Sequence, residues 1–300
     1  MHVRMGVLAA LCLMLLGACA TPGGVDGDLT NGWAAMGPAR GFEPTAGTCH
    51  SSNFSAVGAR STYEEIDCGL RHRTETAYVG TYAAPAADAD EPPVDGSAGA
   101  KAAYRTCDEK TTTYLGGAWR TARVWIGVTH PTKAAWGGGA RWFRCEVLEL
   151  SSVEDDGALV QRVGTLRNAL ADGSSGLLLS CYAVAMDSSG AIASMPGVAC
   201  SARHNAEFVG IWYAKDLAYP RDDKAWRAFH DGCRSLVAAY VAVPDDKDLQ
   251  YRTGVISLPG NDDVWQLGDY GVRCYLWLDG TDLTATLKGR GGKSLPIQYR

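Results

Sequence analysis

Across residues 218–240 the apolar side chains recur at helical spacing, with Trp226, Phe229, Cys233, Leu236, Val237 and Tyr240 on one face. Pro220, Asp222 and Asp223 suit the first turn of such a helix. Over residues 272–278 the period shortens to two. Val272, Cys274, Leu276 and Leu278 fall on one face of a strand, and Tyr275 and Trp277 on the other. The same reading predicts strands near 208–214, 272–279 and 282–288, and a weaker one at 238–243, into which the helix can run. Earlier in the chain it predicts strands near 75–82, 119–128, 142–150 and 159–166, and a helix over about 98–114 with Tyr104, Cys107, Thr111 and Tyr114 along its stripe. The Pro-, Ala- and Asp-rich stretch between residues 82 and 98 reads as a solvated loop. The predicted class is α+β: two units, each a mostly antiparallel sheet with one main helix on it.

The first residues have a different pattern. Arg4 precedes an apolar run over residues 7–16, too short to cross a bilayer but suited to a signal peptide. Leu16-Gly17-Ala18-Cys19 then resembles a bacterial lipobox, which makes residues 1–18 a lipoprotein signal peptide and Cys19 the diacylglycerol acceptor. Cleavage after Ala20, giving a secreted chain, is the competing reading. Residues 19–40 are Gly-, Pro- and Ala-rich and read as a flexible tether. The expected location is the extracytoplasmic face of the cell membrane, with the membrane contacted through the lipid.

Export changes how the ten cysteines are read. Cys12 lies in the signal and Cys19 takes the lipid, which leaves Cys49, Cys68, Cys107 and Cys145, then Cys181, Cys200, Cys233 and Cys274. An even set in an exported chain implies disulfides. The successive spacings are 19, 39 and 38, then 19, 33 and 41, so the set repeats. The surrounding residues repeat as well. Cys68-Gly-Leu-Arg-His72 matches Cys200-Ser-Ala-Arg-His204, and Glu75 matches Glu207. Trp136, Gly139 and Arg144 match Trp265, Gly268 and Arg273. Thr165-Leu166-Arg167 matches Thr286-Leu287-Lys288. We read two units, 41–170 and 171–300. Cys233 points inward from a helix and Cys274 inward from a strand, so a helix packed on that strand can join them. The scheme is Cys233–Cys274 and Cys181–Cys200, and by repetition Cys107–Cys145 and Cys49–Cys68. Loop-closure entropy assigns such bridges about 3 to 4 kcal/mol each.

Charge and motifs then exclude several functions. The net charge is −5 and no Lys or Arg run exists, which argues against a nucleic-acid partner. No Gly-rich phosphate loop and no Gly-x-Ser-x-Gly elbow is present. The cysteines lack the close Cys-x2-Cys pairs of zinc sites, so neither a metal nor a cofactor is expected.

Cys-x3-His-x2-Glu, Tyr219-Pro220, the helix cysteine, Trp-x2-Gly-x4-Arg-Cys and Thr286-Leu-Lys-Gly289 together resemble the septum-formation-related domain of exported actinobacterial proteins and lipoproteins. The likeness covers most of 181–290 and is looser in the first unit. It implies a link to cell division or the septal envelope and supplies no catalytic residue. The candidate polar pairs are His72/Glu75 and His204/Glu207. Their presence in both copies favours a structural role over ligand binding or acid–base chemistry. Trp136 and Trp265 are expected in the core, packed on a disulfide. Tyr275 and Trp277 are candidate partner-binding aromatics, weighed evenly against a second buried face. The expected function is a non-enzymatic envelope lipoprotein whose two modules bind an envelope protein or glycan. The rival is an envelope enzyme acting on wall polymer through a His/Glu pair.

Overall fold

The computed structural model describes residues 41–154 and 157–298. The expected signal peptide, the expected lipidation site at Cys19 and the expected tether lie outside the described residues. The elements are β1 (Cys49–His50), β2 (Val57–Gly58), β3 (Thr74–Thr81), α1 (Ala98–Leu115), β4 (Val124–Pro131), α2 (Lys133–Gly137), β5 (Trp142–Glu149) and β6 (Cys181–Tyr182). They continue with β7 (Ala185–Met186), β8 (Ile192–Ser194), β9 (Gly197–Val198), β10 (Ala206–Tyr213), α3 (Asp223–Val241), β11 (Gly254–Pro259), α4 (Asp262–Gln266) and β12 (Gly271–Trp277). One five-stranded sheet has the order β1-β3-β5-β4-β2 and the other β11-β12-β10-β6-β9; β7 and β8 form a separate hairpin. The two sheets share a four-strand core: β1-β3-β5-β4 corresponds to β6-β10-β12-β11. Each adds one short strand of its own, β2 beside β4 or β9 beside β6. The bulge in the long edge-side strand also recurs, between Thr76 and Tyr78 and between Phe208 and Gly210.

Each main helix packs on its sheet through the apolar stripe read from the sequence. In α1 the buried residues include Ala103, Tyr104, Cys107, Tyr114 and Leu115, and in α3 Phe229, Cys233, Val237 and Val241. The disulfides are Cys49–Cys68, Cys107–Cys145, Cys181–Cys200 and Cys233–Cys274, with paired Cα atoms 5.1–5.4 Å apart. The second bridge of each unit pins the helix to an inner strand, β5 or β12, as the inward positions of its cysteines require. Trp136 and Trp265 are buried beside these bridges.

Several elements differ from expectation for identifiable reasons. Helix α3 starts at Asp223 because Asp222 caps it, accepting from the Ala225 N–H. It runs on to Val241, so no strand forms at 238–243. Residues 119–121 form a 3-10 turn, and the strand begins only at Val124. Residues 159–166 and 282–288 are not strands. They make only single bridges to residues beside the strand ends, Leu150 to Leu159, His72 to Arg162 and His204 to Leu283, because their backbone groups have other partners, described below. Strand β11 lay outside the sequence reading. The 82–98 insert is partly packed rather than free. The Trp136 indole donates to the Ala89 carbonyl and Arg141 to the Ala87 carbonyl.

The described residues of 41–300 pack as one compact unit, and a buried ion cluster joins the two sheets' subunits. Arg120, in the 3-10 turn of the first, places Nε 2.8 Å and Nη2 2.7 Å from Asp269 of the second, and Nη1 2.6 Å from Asp108 of α1. The Tyr104 hydroxyl donates to the other Asp269 oxygen at 3.0 Å. Burial disfavours the guanidinium charge, but Asp269 and Asp108 outweigh it and hold Arg120 more firmly charged than usual. Arg120 is 6% exposed and Asp269 5%, so breaking the pair strands a charge away from water. Asp269→Asn is therefore expected to lower stability by about 3 kcal/mol, measured by chemical denaturation of the oxidised chain; an unchanged midpoint would refute the clamp.

The helix ends give a second test. Nine residues after the helix cysteine the backbone turns left-handed in both units, at Gly116 (φ 73°) and at Ala242 (φ 65°). Glycine adopts this conformation freely and alanine does not. Ala242→Gly should raise stability by about 0.5–1 kcal/mol, read as a higher melting temperature.

Candidate functional site

The two His–Glu pairs are the most concentrated polar chemistry repeated in both units. The Cys49–Cys68 bridge ties a turn to the start of the sheet. Within that turn Asp67 accepts from the Gly69 N–H and the Leu70 N–H, on its side chain and its carbonyl respectively. His72 follows, with Nδ1 2.9 Å from the Leu70 carbonyl and Nε2 3.0 Å from Glu75 Oε1. A carbonyl only accepts, so Nδ1 is the donor to Leu70, and Nε2 is left facing the carboxylate. Glu75, the second residue of β3, is 0% exposed. Its oxygens also accept from the Tyr114 hydroxyl (2.8 Å), the Thr165 hydroxyl (2.9 Å) and the Leu166 N–H (2.8 and 2.9 Å).

The second unit repeats the arrangement. His204 Nδ1 lies 2.8 Å from the Ala202 carbonyl and Nε2 3.3 Å from Glu207. Glu207 accepts from the Tyr240 hydroxyl (2.7 Å), the Thr286 hydroxyl (2.7 Å) and the Leu287 N–H (2.8 Å). In each unit one carboxylate thus holds together the start of a strand, the last turn of the main helix and the closing Thr-Leu-Arg/Lys segment. That segment then satisfies helix-end carbonyls. Asn168 and Leu170 donate to Tyr114 and Leu115, and Gly289 and Gly291 to Tyr240 and Val241. Asn168 and Gly289 both take positive φ, 59° and 70°, which a long side chain would resist. The leucines between, Leu166 and Leu287, are buried in the cores.

This geometry is a latch rather than an open site. His72 and Glu75 are 0% exposed, His204 1% and Glu207 0%, and each carboxylate is fully engaged. Burial, with Glu75 close by, pushes the Tyr114 hydroxyl up to about 12, and burial raises Tyr240 likewise, so both remain donors. Cys49, His72 and Glu75 bring one potential metal ligand each within 4.8 Å of one another, as do Cys181, His204 and Glu207. In both sets the sulfur sits in a disulfide and the ring nitrogen faces the carboxylate, so neither set offers a thiolate or a free lone pair to an ion. The tyrosines were missed as partners, although the signal was present: each stands seven residues after its helix cysteine.

The aromatic candidates are corrected. The alternation placing Tyr275 and Trp277 opposite the cysteine face is real, but that face is covered. Tyr275 is 0% exposed, with the Tyr182 and Phe208 rings 5.2 and 5.5 Å away, and Trp277 is half-buried in the same cluster. The segment closed by Cys181–Cys200 supplies the cover through Tyr182, Val184 and Met195. The equivalent face of the first sheet is polar instead: His50 bonds Thr76 at 2.9 Å, Thr76 donates to Glu146 at 2.9 Å, and Arg144 lies 3.1 Å from Glu146.

If the carboxylates are latches, Glu75→Ala and Glu207→Ala should each cost about 3–5 kcal/mol, and Tyr114→Phe about 1 kcal/mol. Equilibrium denaturation measures all three; a Glu75→Ala chain as stable as the parent would sink this assignment.

A model of the septum formation family matches residues 46–274. The match begins just before Cys49 and ends on Cys274, so one match spans both units and all eight disulfide cysteines. No curated protein and no solved structure matches the chain. The match covers well over half of the residues, and the chain belongs to the septum formation family.

Proposed function

We propose that the chain is a non-enzymatic binding protein of the cell envelope, anchored by a lipid on Cys19 and acting in or near septum formation. Family membership supports the setting. Four disulfides support an oxidising, extracytoplasmic compartment, and no helix among the described residues is long and apolar enough to cross a membrane. The observation that carries the reading is the state of the two His–Glu pairs. A general acid or base must reach substrate, and these pairs are buried, saturated and duplicated, as scaffold elements are. This favours binding over hydrolysis of wall polymer, and leaves the partner to surfaces other than the Tyr275/Trp277 face.

Three measurements on the full-length chain, two in its host and one on the purified chain, test this together. Cys19→Ala should move the chain from the membrane fraction to the medium. A fluorescent fusion should gather at division sites. Purified chain incubated with isolated wall should release no soluble fragment. Release of wall fragments that stops with His72→Gln would overturn the non-enzymatic reading, and retention of Cys19→Ala in the membrane would overturn the anchor.

A further inference from the structure

The seam between the two units carries a cleft of about 480 Å³, within the roughly 300–1,000 Å³ range of small-ligand sites. One wall comes from α1, with Arg105, Asp108 and Glu109. The other comes from Tyr213, which ends β10, and from Lys215 just beyond it. Arg120, fixed between Asp108 and Asp269, also lines it. The cleft therefore exists only where both units meet, and the buried ion cluster that joins them holds its walls in place.

The polar groups of the cleft are largely unused by the fold. Arg105 and Glu109 are exposed and stand four residues apart on α1, yet they form no ion pair with one another. Neither they nor Lys215 bond any described residue through the side chain. Asp108 accepts from the Trp119 indole and from Arg120 on Oδ1 alone, which leaves Oδ2 open among the described residues. Arg120 adds no open charge, because its guanidinium nitrogens already face carboxylates. The open groups are thus cations at Arg105 and Lys215 and carboxylates at Glu109 and Asp108. Beside them stands an aromatic ring with no enclosing pocket of its own. Tyr213 is 51% exposed, and the Arg120 guanidinium lies 5.8 Å from its ring centre.

These groups select the chemistry of an occupant. An anion would meet Glu109 and Asp108, and a cation would meet Arg105 and Lys215, so neither sign is favoured. An apolar ligand would cover all four without replacing their water. A zwitterion would answer the charges and leave the exposed ring unused. A sugar uses the whole set. Each hydroxyl can donate to a carboxylate and accept from a guanidinium or ammonium, and the C–H face of the sugar ring gains dispersion contacts by lying on an aromatic ring.

We propose that the seam cleft binds a neutral saccharide, stacked on Tyr213 and held through its hydroxyls by Arg105, Glu109, Lys215 and Asp108. The proposal deepens the binding-protein reading and rests on it. It names a glycan rather than a protein as the partner and places the contact across both units.

The test uses the purified full-length chain on an array of neutral oligosaccharides built from hexoses, pentoses and N-acetylhexosamines, with hits titrated by calorimetry. At least one of these saccharides should bind, and raising the salt concentration should leave its affinity within about twofold, since no ion pair forms. Tyr213→Ala, Arg105→Ala and Glu109→Ala should each weaken it at least about tenfold. The Arg105 and Glu109 side chains hold nothing in the fold, so those two variants should melt at the parent's temperature, which separates lost binding from lost structure. Circular dichroism checks that the Tyr213 variant stays folded. Binding to no neutral saccharide overturns the proposal, as does full binding by any of the three variants. An affinity that falls steeply as salt rises also overturns it, since the ligand would then be held as an ion. Failure here leaves division-site gathering and membrane anchoring intact, so it is distinguishable from failure of the broader reading.

Discussion

A buried carboxylate that meets three separate parts of its unit organises this fold. Glu75 and Glu207 each take hydrogen bonds from a histidine just after a disulfide-closed loop, a tyrosine at a helix end and a hydroxyl and backbone amide from the closing segment. Leaving such a group unsatisfied away from water is costly, so each part of the ring holds the others in register. The disulfides act elsewhere: one bridge closes that loop and the other fixes the helix to an inner strand. Together they explain how units with short strands and many loops keep a defined core.

Sequence and structure agree where periodicity and repetition carry the signal. The inward cysteines of α3 and β12 led to a pairing scheme, and all four bridges follow it. The matched Thr-Leu-Arg and Thr-Leu-Lys triplets were visible as a repeat, but their role was not. Alternating residues there suggested strands, whereas the Leu166 and Leu287 amides bind carboxylates distant in sequence. Tyr275 shows a similar limit. Its face on the strand could be read locally, but its burial depends on a covering segment whose position only tertiary packing sets.

The two copies have diverged where the latch does not constrain them. On the outer face of the sheet, His50, Thr76 and Glu146 stand in the first unit where Tyr182, Phe208 and Tyr275 stand in the second. Between strand and helix, Gly80 faces Trp212 across the duplication. Each copy thus fills the space between strand and helix with its own aromatic side chains, Phe143 and Tyr82 in the first and Trp212 and Phe229 in the second.

The Arg120–Asp269 cluster has a mechanical consequence. All three guanidinium nitrogens are directed at carboxylates, one from each side of the junction, and Tyr104 closes the remaining oxygen of Asp269. A hinge motion at this seam would have to expose or abandon a buried charge, so the two halves act as a single rigid ruler. Any partner touching both halves meets them at a fixed spacing, and selects or rejects the whole molecule on that distance.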